Sequence, residues 1–135
     1  MKNLLLPLSL IILGTSCRHH YKELNQQLAL SDSVAINYFK GDGTMDTVTL
    51  VKIVKDKNTI QQMADMITAN GSAETNDCGV DGSIHFFKND MVIEDAEFRM
   101  NNNACMHFAL KDELGKTINT ELTPAAKQLL EALKK

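Results

Sequence analysis

The sequence predicts an α+β domain, an antiparallel sheet of about six strands with two amphipathic helices on one face, in the order ββαββββα. Three observations carry this expectation. From residue 33 onward, short segments rich in β-branched and aromatic residues recur between clusters of Gly, Asn and Asp, the pattern of strands joined by tight turns. Two stretches, 57–69 and 124–133, instead space apolar residues three and four apart, as one face of a helix requires. No phosphate-binding glycine loop, dinucleotide fingerprint or internal repeat breaks the pattern.

The first strand is SVAINYFK, in which Val34, Ile36 and Tyr38 alternate, and the second is TVTLVKIV. GDGTMD joins them, with Gly41 and Gly43 free to take the positive φ of a hairpin turn. Asp42 and Asp46 lack the D-x-[DN]-x-[DN]-G spacing of a calcium loop, so the segment reads as a turn. In KNTIQQMADMITA, Ile60, Met63, Ala64 and Ile67 share one helical face, Asp56 or Asn58 caps the start, and Gly71 suits the end. Met63 and Met66 read as core filler.

After the loop NDCGVDG come SIHFFK, MVIEDAEFRM, CMHFALK and KTINTEL. Turns at Asn89-Asp90, Asn101 to Asn103 and Asp112 to Gly115 separate them into a four-strand meander. In the last helix Thr123 is the cap, Pro124 takes the first position, and Ala126, Leu129, Leu130 and Leu133 form the buried stripe.

The N-terminus is Lys2, an apolar run from Leu4 to Leu13 broken by Pro7 and Ser9, and the small residues Gly14, Thr15 and Ser16. A basic start, a short apolar core and small residues make a secretory signal, since a membrane-spanning helix needs about 20 apolar residues. Because Cys17 follows directly, residues 1–17 resemble a bacterial lipoprotein signal, whose Cys is lipidated and begins the mature chain. Gly14 stands where that signal normally has Leu, with Leu13 one place further back, while Ser16 keeps a small residue at the scissile bond. An ordinary signal peptide cut near Ser16 is the alternative.

The resemblance implies a bacterial envelope protein, anchored to the membrane through Cys17 at the outer membrane and facing the periplasm or the cell surface. Two or more acyl chains would hold it firmly, where one binds only marginally. The chain then divides into a signal peptide at 1–16, a tether at 17–32 that ends in a short helical turn, and a single α+β domain at 33–135. His19 and His20 fall in the tether and read as solvated. The stretch CGVDGSIHFFKND, with CMHFAL, also resembles small exported lipoproteins of unknown function, and no functional residue is carried over from them.

Of the 14 Lys and Arg residues one, Lys2, lies in the signal, which leaves 13 against 17 acidic residues and a net charge of −4. Without a basic cluster or aromatic-basic interleaving, nucleic acid is excluded as a partner class. With Cys17 acylated, Cys78 and Cys105 remain as an even pair in an oxidising compartment and are expected to form one disulfide. A metal site from Cys78, His85, Cys105 and His107 would need C-x6-H and C-x-H spacings, which match no common zinc pattern, so neither metal nor cofactor is expected.

Folding residues 91–111 about Asn102 sets Met100 against Ala104, Phe98 against Met106 and Ala96 against Phe108 on the core face. Asp95, Glu97, Arg99, Cys105 and His107 then share the other face, with Glu97 opposite His107. A two-residue turn at Asn89-Asp90 pairs His85 with Glu94 outside the core. The favoured reading is a lipid-anchored binding or inhibitory module that acts through its open sheet face and the loop around Cys78, presenting Asp95, Glu97, Arg99 and His107 to a protein or envelope polymer. The alternatives are a hydrolase using Glu97 and His107 as acid and base, and a structural accessory subunit of an envelope complex. No motif places a nucleophile, which favours binding over turnover.

Cys17→Ser is expected to leave an unprocessed or soluble species. Detergent partitioning and acyl labelling of the variant check this, and normal membrane partitioning would refute the anchor.

Overall fold

The computed structural model describes residues 16–69, 71, 78–112 and 114–135, with side chains from residue 21 onward. The signal segment up to residue 15, the Cys17 side chain and Asn76-Asp77 of the loop before the third strand lie outside this part. The described elements are α1 (Ser16–Ala29), β1 (Ser33–Phe39), β2 (Val48–Val54), α2 (Lys57–Thr68), β3 (Gly82–Lys88), β4 (Met91–Arg99), β5 (His107–Lys111), β6 (Thr117–Glu121) and α3 (Pro124–Leu133). From β1 onward this is the expected ββαββββα order, and the class is α+β.

The six strands form one antiparallel sheet in the order β2-β1-β3-β4-β5-β6. Alternation decides its two faces. Val34, Ile36, Tyr38, Ile84, Phe86, Ala96, Phe98, Phe108 and Leu110 are buried in one cluster with apolar residues from all three helices. Their neighbours along each strand point to the opposite, open face.

Asp56 is the cap of α2 and accepts the Thr59 N–H at 2.8 Å. The expected stripe of Ile60, Met63, Ala64 and Ile67 is buried, and each large apolar side chain there stabilises the fold by about 1.5–3 kcal/mol. The Thr120 hydroxyl of β6 donates to the Ile67 carbonyl at 2.7 Å, and Gly71 bridges to Thr120, so the end of α2 is tied to the sheet. In α3 Thr123 accepts from the Ala126 N–H, Ala126 and Leu130 are buried, and Leu129 and Leu133 pack partly buried beside them. The Tyr38 hydroxyl donates to the Leu130 carbonyl at 2.7 Å, and burial pushes its pKa up to about 12.

Where the sequence predicts a tether, residues 16–29 form α1, a third helix, and Leu24 and Leu28 enter the core. The reason is tertiary packing. Leu24 and Leu28 are one turn apart and meet the main cluster, and Asn25 Nδ2 donates to both Asp65 and Thr68 of α2 at 2.9 Å. The segment is too weakly amphipathic to announce this by itself.

Cys78 and Cys105 form the expected disulfide, with Cα atoms 6.2 Å apart and 27 residues of separation. It joins the loop before β3 to the loop between β4 and β5. In the chain-entropy model a loop of this length stabilises by about 3.5 kcal/mol. Reduction is therefore expected to lower the melting temperature by about 10 °C or more, as read by thermal unfolding with and without reductant.

Candidate functional site

All three helices lie against one face of the sheet, so the side chains of the other face are the ones free to meet a ligand. Its centre is built from β1, β3 and β4. On β3, Ser83 and His85 are two residues apart and so share that face. Asn37 of β1 is paired directly with Ser83, and Asp95 of β4 directly with His85.

That last pairing depends on a bulge. Asn89 and Asp90 both take positive φ, 50° and 62°, which closes the expected two-residue hairpin. At the tip Phe87 faces Val92, but the next pair is Phe86 with Glu94, so Ile93 is an extra residue in β4. The slip of one places Asp95 opposite His85, where the sequence predicts Glu94.

The result is a chain of hydrogen bonds across three strands. His85 Nδ1 lies 2.5 Å from Asp95 Oδ1, and because a carboxylate only accepts, Nδ1 is the donor. In the neutral ring Nε2 then carries the lone pair, and it faces Ser83 Oγ at 3.0 Å and Asn37 Nδ2 at 3.1 Å. Asn37 Nδ2 also donates to Ser83 Oγ at 3.2 Å. Ser83, His85 and Asp95 line a groove of about 430 Å³ that continues past Glu97 to Lys111 and Thr117. Lys111 Nζ donates to the Thr117 hydroxyl at 2.7 Å, which closes that end.

The four residues expected to form one exposed patch are divided by the structure. Asp95 and Glu97 line the groove. Arg99 and His107 are buried. Arg99 Nη1 donates to Asp81 Oδ1, and the Asp81 side chain is fully out of solvent while that of Arg99 is 11% exposed. Asp81 Oδ2 accepts the backbone N–H groups of Met100 and Asn101 at 2.8 Å each. His107 Nδ1 faces the Cys105 carbonyl at 3.0 Å. Arg99 is thus part of the framework and unavailable to a partner.

Glu97 does not oppose His107. It pairs with Ala109, and Arg99 pairs with His107. The Asn102 carbonyl accepts the Cys105 N–H at 2.9 Å and its side chain accepts the Ala104 N–H, so the turn is centred on Asn103 rather than Asn102. A shift of two residues keeps every side chain on its expected face and changes every partner.

Cys78 and Cys105 are joined to each other, so the thiolates that a Cys/His metal site would need are spent in the disulfide. Among the described residues no three His, Cys, Asp or Glu side chains group to hold a metal ion, and no helix is long and apolar enough to cross a membrane. The chain matches no family model, and neither curated proteins nor solved structures show a similar chain.

The Ser83 and His85 spacing is readable in GSIHFFK, but Asn37 and Asp95 join them only through the strand order and the bulge. Asp81 had no signal beyond an acid in a loop. Asp81→Ala would leave the Arg99 charge buried with its carboxylate partner removed, and is expected to cost about 3–5 kcal/mol in denaturant unfolding.

Proposed function

We propose that the protein is a lipid-anchored component of a bacterial cell envelope, held through Cys17, that binds a segment of a protein or envelope polymer on its open sheet face. The observation that carries the reading is the groove of about 430 Å³ on that face, a volume in the range of ligand sites. Its lining is suited to selective recognition. Asp95 and Glu97 accept from hydroxyl, amide or ammonium groups, while Lys111 and Thr117 offer donors at the far end. Charges so arranged give specificity more than raw affinity. The segment before Cys17 supports the location, and the disulfide is the kind of crosslink that an oxidising compartment maintains.

The framework role of Arg99 decides how the reading is tested. Reversing Arg99 would disturb the buried pair with Asp81, so the groove carboxylates are changed instead. Asp95→Lys with Glu97→Lys is expected to abolish capture of the envelope partner while the domain still unfolds cooperatively, with the melting temperature lowered by about 4–8 °C, since two exposed changes add to about 1 kcal/mol and Asp95 also gives up its hydrogen bond to His85. Affinity capture from the native envelope, followed by mass spectrometry, reads the first effect and thermal unfolding the second. Capture that survives the double change would place the interface elsewhere on the molecule.

A further inference from the structure

We infer that Ser83 is a nucleophile and that the groove cleaves a carboxylic ester of its ligand. The inference rests on the groove being where the ligand enters, and adds a reaction to it. Ser83 Oγ, His85 Nε2, His85 Nδ1 and Asp95 Oδ1 stand in sequence at 3.0 Å and 2.5 Å on either side of one imidazole ring. This is the connectivity a hydroxyl needs to become nucleophilic: a base on its proton, and a carboxylate holding that base in the right tautomer. Two paired strands hold the three side chains, Ser83 and His85 on β3 and Asp95 on β4, so the geometry belongs to the sheet rather than to a loop. Structural serines on open faces do not require a base with its second nitrogen bound to a carboxylate.

The step balances with water as the only co-reactant. The Oγ–C bond forms on the ester carbonyl as the Oγ proton passes to His85 Nε2. The C–O bond to the alkoxide then breaks, and the leaving alcohol takes that proton. Water repeats the sequence: it gives a proton to Nε2, its oxygen bonds to the acyl carbon, and the acyl–Oγ bond breaks as Oγ recovers the proton. The Asn37 amide nitrogen lies 3.2 Å from Oγ and 3.1 Å from Nε2; once Nε2 takes the proton it no longer accepts from Asn37, and that N–H is released toward the oxyanion forming on the attached carbon. Asp95 acts through His85 as a positioning residue. Its side chain is 64% exposed and that of His85 29%, so solvent screens the pair and turnover is expected to be slow.

The test uses the purified full chain with a fluorophosphonate and with 4-nitrophenyl acetate. One phosphonate per chain is expected, mapped by peptide mass spectrometry to Ser83 and absent from Ser83→Ala. His85→Gln should slow both labelling and ester turnover about a hundredfold or more. Asp95→Asn, which keeps the shape and removes the charge, should lower kcat for 4-nitrophenyl acetate with KM held, since this probe offers Asp95 no hydroxyl, amide or ammonium group to bind. Each variant is checked for folding by its melting temperature. An unlabelled Ser83 in the folded native chain, or label that persists in Ser83→Ala, overturns the proposal. Capture by the groove is measured separately. Failed labelling with capture that depends on Asp95 and Glu97 removes the nucleophile and leaves the binding site. Labelled Ser83 with capture indifferent to those carboxylates supports the nucleophile and removes the binding reading.

Discussion

Asp81 is the residue on which three strands and two loops converge. Its backbone N–H donates to the Phe98 carbonyl, and its own carbonyl accepts the Phe39 N–H, both at 2.8 Å, so it ties β1 to β4 just before β3 begins. One side-chain oxygen takes Arg99, and the other takes the N–H groups of Met100 and Asn101 where β4 gives way to the following loop. A fully buried carboxylate is tolerable only with its acceptor sites filled, and here they are. The surrounding close contacts follow from this node. A Cβ on Gly82 would meet Phe98 at 2.2 Å and the Asn37 carbonyl at 2.4 Å, so the next residue must be glycine. Gly79, at φ +74°, sits against the backbone of Gly43, whose loop covers the Arg99 guanidinium. The disulfide at Cys78 closes the same corner.

That corner sets the register, and the register assembles the groove. Fixing Asp81 against β1 and β4 leaves Ser83 and His85 two and four residues further along, beside Asn37 and Asp95. The bulge at Ile93 then lies beyond His85 and absorbs the extra residue of β4 before the hairpin closes. Framework and site are therefore neighbours on the same strands. Disturbing the buried pair would change the spacing of the groove side chains as well as stability, which is why Arg99 is an unsuitable probe of binding.

The class, the sheet, two of the helices and the disulfide were legible because each has a local signal: alternation, a helical stripe with caps, or an even cysteine pair. The faces of β4 and β5 were legible for the same reason, since parity survives a shift of two residues. Partners were not. Whether His85 meets Glu94 or Asp95, and whether Glu97 meets His107 or Ala109, depends on one inserted residue and one turn position, and composition encodes neither. Arg99 looked solvated because a charged residue on an outward-facing strand position usually is. Its burial depends on Asp81, eighteen residues earlier. The helix α1 was illegible for a related reason. Its apolar positions are too few to form a stripe and suffice only because α2 and the sheet are already there.

The helix α1 bears on how the proposed anchor would act. A tether from residue 17 to 33 in extended form would reach about 50 Å and let the domain sample a wide shell above the membrane. A helix shortens that reach sharply. Leu24 is already buried in the domain core, and the seven helical steps from Cys17 to Leu24 span about 10 Å. An acylated Cys17 would therefore hold the domain close to the bilayer surface. The buried side of α1 packs on the helical side of the sheet, and the groove opens on the other face. A partner of the groove would then be drawn from what lies near the membrane.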